Sequence, residues 1–390
     1  MACAKGVRMN EQDLLRSKAF AKKNYPEALD LLRTLARIPA PSHHEERRAA
    51  YVCKWLHGNG LAQATIDEAT NVICPIADDG QCDLVVFAAH MDVVFPNEDE
   101  LPLREEGGRI FAPGVGDDTA NLVALLLAAR ELAHDPALLP PGVGALVVAN
   151  SCEEGLGNLK GTKQLFATYG DRIRRYYSFD LYLPSYVDGA VGAHRWKISV
   201  NTQGGHSFSN FGRPNAIERL CAIIQELYSL PLTHEVPCTI NVGTIEGGTT
   251  VNAIAAHAEA LFEYRSTSNE VLNDLRERVT ATVEGFASAD ATVAMELVGE
   301  RPASASNCDG LRELTSVTRD VIEAITGEVA TGGAASTDAN VPLSMGIPAN
   351  TIGAVRGALL HTTDEWIDAA SVEEGLAVVL GIMCVQRELG

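Results

Sequence analysis

Asp83-Leu84-Val85-Val86-Phe87-Ala88-Ala89-His90-Met91-Asp92 begins as an almost continuous apolar run and ends in two residue types that bind metal ions. A short apolar run without alternation is the pattern of a strand buried on both faces, as in a parallel sheet. The pattern recurs twice: residues 143–149 run into Asn150-Ser151-Cys152-Glu153-Glu154, and residues 176–179 run into Asp180. Between the first two strands, Asp117-Asp118-Thr119 precedes an apolar helix over 120–132, for which Asp118 or Thr119 is the expected N-cap. Strand, helix and strand in this order imply a parallel sheet with right-handed crossovers. In such sheets ligands collect beyond the carboxyl ends of the strands, so the polar strand ends are expected to converge.

Working outward, helices are expected over 26–38 and 45–59. From about Val191 the texture changes to alternating strands around Trp196-Lys197-Ile198-Ser199-Val200, 239–245 and 258–265, with a helix over 216–230 between the first two. This strand-helix-strand-strand-helix material reads as a separate α+β domain ending near Val298. A strand returns at 348–352, a loop leads to His361, and an apolar helix over 372–389 closes the chain. The expected architecture is α/β: a catalytic domain with a mixed, mainly parallel sheet flanked by helices, in two parts (1–190 and 301–390), interrupted by the smaller domain (191–300).

With 390 residues, 46% of them hydrophobic, the chain has material for two or three compact domains. Its formal charge of −20, with no Lys/Arg-rich run, excludes nucleic acid and anionic membrane surfaces as natural partners. Met1 to Asn24 lacks the apolar core of a signal peptide, and no segment approaches about 20 uninterrupted apolar residues. Nine scattered cysteines, without a CxxC pair, read as reduced thiols. A cytoplasmic protein is the expectation.

The chemistry rests on His90, Asp92, Asp117, Glu153, Glu154 and Asp180, with His361 joining from the far end. Imidazole and carboxylate donors without thiolate suit zinc, or manganese and cobalt in its place. Two adjacent cations need a carboxylate between them, and a Glu-Glu pair lets one side chain bind metal while the other accepts a proton from the attacking water. Singly, each signal has a plain structural alternative: a buried His bonded to a carboxylate, an acidic helix cap, a solvated Glu-Glu-Gly turn. Their order, each at the end of an apolar strand, favours the joint reading.

These residues also resemble a known family, the co-catalytic zinc peptidases that include peptidase T, glutamate carboxypeptidase, aminoacylase, acetylornithine deacetylase and succinyl-diaminopimelate desuccinylase. The matching pieces span nearly the whole chain: Ala88 to Asp92, Gly114 to Asp118, Cys152 to Gly157, Asp180, Gly204 to Ser207, Asn252 with Arg265, and His361 to Glu365. The resemblance implies two zinc ions (manganese or cobalt as substitutes), one held by His90 and Asp180, the other by Glu154 and His361, with Asp117 bridging. It implies Glu153 as general base, and Asp92 as the partner that fixes the His90 tautomer. Further, it implies a ferredoxin-like lid or dimerisation domain, a homodimer, and a role for His206 in stabilising the oxyanion, in the family from a neighbouring subunit. Asn252 and Arg265 resemble the positions that bind a substrate carboxylate. Two departures stand out: Thr119-Ala120 replaces the family's usual Lys-Gly after Asp-Asp, and Cys152 precedes the Glu pair.

The implied function is metal-dependent hydrolysis of an amide bond in small peptides, a peptidase T-like di- or tripeptidase, with deacylation of an N-acyl amino acid as the alternative. A cysteine hydrolase using Cys152 leaves the carboxylate cluster unexplained. A non-catalytic metal-binding protein would need Glu154 but no base beside it.

Overall fold

In the computed structural model, residues 8–96 and 99–389 are described. Cys3 and the first residues of the N-terminal stretch lie outside them. The chain divides into two compact units, Met1–Gly189 with Ala305–Gly390, and Ala190–Ser304.

The first unit is built on an eight-stranded sheet in the order Thr65–Ile66, Val72–Ile76, Val143–Asn150, Asp83–His90, Ile173–Phe179, Ala349–Ile352, Ser185–Ala190, Thr331–Ala335. Its four central strands, from Val143–Asn150 to Ala349–Ile352, are parallel, and antiparallel neighbours flank them. Apart from their first residues, Asp83–His90 and Val143–Asn150 are buried throughout, which is why both read as unbroken apolar runs. Helix Ala120–His134, the crossover between them, is buried on nearly every side because it packs on the sheet and on the terminal helix Ser371–Cys384.

The opening helix differs from expectation. It runs Glu11–Leu35 with Pro26 inside it, rather than starting at Pro26. Asn10 caps it by accepting the Asp13 N–H, and Phe20, Ala21, Ala28, Leu31, Leu32 and Leu35 bury one face against helix Ser371–Cys384. Burial of that face outweighs the local preference of proline for a helix start. A small antiparallel sheet also escaped the sequence reading. It joins Gly357–Ala358, Trp366–Asp368, Arg109–Phe111 and Arg104–Glu106, and it ties the segment around His361 to the chain that enters the Asp117 loop.

The second unit has the order strand Gly192–Thr202, helix Ala216–Ser229, strands Cys238–Gly247 and His257–Ser266, helix Asn269–Glu284, strand Ala291–Arg301. This is the βαββαβ plan of ferredoxin-like folds, and its closing strand was missing from the sequence reading because half-exposed alternation such as residues 291–296 carries little apolar signal. Ile198, Val200, Phe262 and Tyr264 pack under Leu220, Ile223, Leu227, Leu272, Leu275 and Val279 of the two helices. No helix among the described residues is long and apolar enough to cross a membrane.

Candidate metal centre

Register brings the polar strand ends together. His90 pairs with Asn150 across the parallel ladder, and Ile352 pairs with Phe179, so the central strands finish at one level. From that level the chain continues into Asp92, into Glu153 and Glu154, into Asp180, and through 353–358 toward His361.

Asp117 sits between two histidines. His90 Nε2 lies 2.9 Å from its Oδ1, and His361 Nε2 lies 3.0 Å from its Oδ2. His361 Nε2 is also 3.1 Å from Glu154 Oε1. Donor atoms of His90, Asp117 and Glu154 lie within 4.8 Å of one another, and the same holds for His90, Asp118 and Asp180. All of these side chains but His361 are buried.

The electrostatics are those of a cluster short of positive charge. Burial pushes the Glu154 carboxyl up to about 7, against the pull of His361. Burial and the neighbouring carboxylates raise Asp180 and Asp118 well above the carboxylate range. Burial opposes charge on Asp117, yet His361 and His90 hold its carboxyl well below that range. Hydrogen bonding to Asp117 and Glu154 lifts His361 to about 10. Protons thus do the neutralising that divalent cations do better, because a cation takes several oxygen and nitrogen donors at once. The thiolate-free donor set fits zinc, manganese or cobalt.

The structure adds a second role for Asp92. Nδ1 of His90 lies 3.0 Å from the Asp92 main-chain carbonyl and 3.5 Å from its carboxylate, so both face the ring. The carboxylate also accepts the N–H of Glu153 and of Glu154, each at 2.9 Å, and the Ser42 hydroxyl at 2.6 Å. Asp92 thus meets the His90 ring and holds the turn that carries the two glutamates. Ser42 was missed. So was Arg48, fully buried, which donates to the carbonyls of Met91 at 2.6 Å and Ile38 and lies near Asp92 and Asp118. It places a positive charge beneath the cluster from another part of the chain.

The capping expectation is also overturned. Neither Asp118 nor Thr119 caps helix Ala120–His134. Asp118 accepts the His90 N–H at 2.8 Å and the Asn121 side-chain amide at 2.6 Å, while the Thr119 hydroxyl donates to the Gly114 carbonyl at 2.7 Å. An acidic pair before a helix cannot by itself reveal which backbone amide its carboxylate meets. The Asp118 oxygens accept from amide donors that cannot bind metal, whereas each Asp117 oxygen faces an imidazole nitrogen that can itself be a ligand, so Asp117 is the better candidate for a bridging ligand although Asp118 also lies within reach of His90 and Asp180.

Glu153 is 5% exposed, beside the cluster. Nearby, Asp338 accepts from Asn150 at 2.7 Å and from the Thr162 hydroxyl, and burial together with the charge of Glu153 pushes its carboxyl up to about 7. Cys152 lies 3.2 Å from Glu45 Oε1 and 3.5 Å from His43 Nδ1. Burial and Glu45 push its thiol up to about 12, the opposite of what a cysteine nucleophile requires.

The remaining expected residues lie in the second unit. His206 is exposed, paired with Ala253, and its Nδ1 accepts the N–H of Phe208 and Ser209 at 3.2 and 3.3 Å, which puts the ring proton on Nε2. Asn252 is its neighbour: its carbonyl accepts the Ser207 N–H at 3.0 Å. Arg265 stands apart from both, on strand His257–Ser266, with its fork closed on Glu263 at 2.8 and 3.1 Å.

The sequence model of Peptidase family M20/M25/M40 matches residues 86–384. A Pyrobaculum aerophilum protein named for LysW-lysine and LysW-ornithine hydrolysis is 26% identical over 88% of this chain and 93% of its own length. An N-acetyldiaminopimelate deacetylase of Geobacillus is 22% identical over 65% of this chain and 69% of its own. In fold, the chain is similar to a tripeptidase of Staphylococcus aureus, with a TM-score of 0.73 at 21% identity, covering 94% of this chain and 99% of that one. The family match spans most of the chain, including all seven residues gathered at the strand ends; the chain belongs to Peptidase family M20/M25/M40 and is a metal-dependent hydrolytic enzyme.

Proposed function

We propose that the chain hydrolyses an amide bond in di- or tripeptides, with Glu153 as general base and two zinc ions held by His90 and Asp180 on one side and Glu154 and His361 on the other. The observation that carries this reading is Asp117, which presents one carboxylate oxygen to a histidine from each end of the chain. When bound, two zinc ions would polarise the scissile carbonyl and make water acidic enough to lose a proton near neutral pH. Glu153 takes a proton from the attacking water at its carboxylate and returns it to the departing amine. Asp92 keeps that carboxylate aimed by holding the Glu153 and Glu154 amides.

In a homodimer, His206 is proposed to donate from its Nε2–H to the oxyanion developing in the neighbouring subunit, and Asn252 to bind substrate. Arg265 would join only by giving up Glu263 for a substrate carboxylate. The second unit is proposed as a lid and dimerisation domain of a homodimer, and the reduced-thiol pattern supports a cytoplasmic location. The name of the Geobacillus relative, a deacetylase, favours a second reading, removal of an acyl group from an amino acid, by the same steps.

The test is metal analysis of the purified chain with a screen of dipeptides, tripeptides and N-acetyl amino acids, with and without chelator. Chelator-sensitive turnover of free peptides supports the first reading, and turnover of acyl amino acids alone the second. Activity that survives complete metal removal overturns both.

A further inference from the structure

Glu365 is 1% exposed and touches none of the seven residues above through their side chains. Its carboxylate nonetheless receives three main-chain donors from the Asp117 loop: Gly114 N–H at 2.8 Å on one oxygen, and Gly116 and Asp117 N–H, each at 2.9 Å, on the other. The Tyr182 hydroxyl lies 3.2 Å from the same oxygen as Gly116 and Asp117. Main-chain amides of one tight loop pointing into one space form an anion-binding concavity, and here the anion comes from about 250 residues further along the chain.

The rest of the loop is held from its outer side, the Gly114 carbonyl accepting from Thr119, the Gly116 carbonyl from Asn121 and the Ala112 carbonyl from the Val115 N–H. For the inward N–H groups of Gly114, Gly116 and Asp117 the acceptor is Glu365. Gly114 has φ +69°, and a Cβ there would strike Val93. At Gly116 a Cβ would overlap the Tyr182 ring and approach Glu365. Asp117 is thus delivered by a loop that is folded around a carboxylate rather than by a regular element.

We propose that Glu365 is the positioning residue of the metal centre: one buried carboxylate locks together the turns that carry Asp117, Asp180 and His361, and so sets the placement of the bridging ligand. Glu365 follows His361 by four residues, Tyr182 follows Asp180 by two, and the amide of Asp117 is itself a donor. Removing the carboxylate frees the loop to rotate Asp117 away from the line between His90 and His361. The role rests on the reading that Asp117 binds metal, and it acts on ion affinity before any substrate is present.

The experiment strips metal from the full chain and measures zinc affinity by competition with a chromogenic chelator, alongside melting of the metal-free and zinc-loaded forms. Glu365→Gln is expected to weaken zinc binding 10- to 100-fold, the usual cost of losing a residue that orients a ligand. It should also shrink the zinc-induced rise in Tm, measured from the variant's own metal-free Tm, which itself falls because buried N–H groups lose their charged acceptor. Glu365→Asp should recover part of the affinity. Tyr182→Phe, which loses one donor, should weaken binding less and serves if the Glu365 variants do not fold. Wild-type zinc affinity in a folded Glu365→Gln, or in Tyr182→Phe where the former does not fold, overturns the proposal. Asp117→Asn distinguishes the layers: if it too binds zinc like wild type, the ligand reading fails and this role with it.

Discussion

The carboxylate of Asp92 accepts the main-chain N–H of Glu154 at 2.9 Å, and its other oxygen accepts that of Glu153 at the same distance. One fully buried side chain therefore orients a candidate metal ligand and a candidate base together. Asp92→Asn keeps the size but sets an NH2 group against one of those amides. Activity is expected to fall about 10- to 100-fold. Zinc affinity should fall with it, because Glu154 is released along with Glu153. Steady-state rates and metal content check this; full activity in the variant would show that the turn holds itself.

Glu153→Gln separates base from ligand. The amide cannot take a proton from water, so kcat is expected to drop about 10²- to 10⁴-fold. Zinc content should stay at the wild-type level, because Glu154 rather than Glu153 faces His361. Loss of metal together with activity would reassign Glu153 as a ligand.

Metal removal should destabilise the first unit. Without cations, Glu154, Asp118 and Asp180 are buried carboxyls raised by burial and mutual repulsion. An ion that binds only the folded state at 100 times its Kd adds about 2.7 kcal/mol. That corresponds to a Tm higher by roughly 5 °C for a unit of this size. Calorimetry with chelator, then with zinc restored, reads the difference directly, and identical traces would argue against ion binding at a folded centre.

Gly375 lies in helix Ser371–Cys384 where that helix crosses Ala354, on the segment leading from strand Ala349–Ile352 to His361. A Cβ there would run into the Ala354 carbonyl oxygen. Gly375→Ala is expected to cost about 1–3 kcal/mol, as overpacking does. Denaturant unfolding measures it, and a variant as stable as wild type would mean that the helix shifts freely.

The second unit carries a pH dependence of its own. Burial, with help from Arg276, lowers the imidazole of buried His194 to about 4, although Glu300 opposes this. The unfolded chain takes up that proton near pH 6.5 and the folded chain only near 4, so between these values the unfolded state binds more protons and stability falls as pH falls. His194→Gln should remove this slope, which amounts to about 2 kcal/mol between pH 7 and 4.5. Tm against pH for variant and wild type tests it, and parallel curves would exclude His194 as the cause.

The sequence marked where candidate ligands gather, because a strand buried on both faces is apolar along its length and its first polar residues mark its carboxyl end. His90, Glu154 and Asp180 were legible on that ground, and Asp117 and His361 through the family resemblance. The same local pattern could not say where a carboxylate points. Asp118, expected as a helix cap, instead holds the His90 amide; Asp92, expected on the His90 ring, also holds the glutamate turn. Arg48 and Glu365 reach the centre through main-chain groups far from them in sequence. Hydrophobic periodicity records which side of an element is buried, a property of neighbouring residues. A buried polar group must find its partner wherever the folded chain supplies one, and only the tertiary structure decides which partner that is.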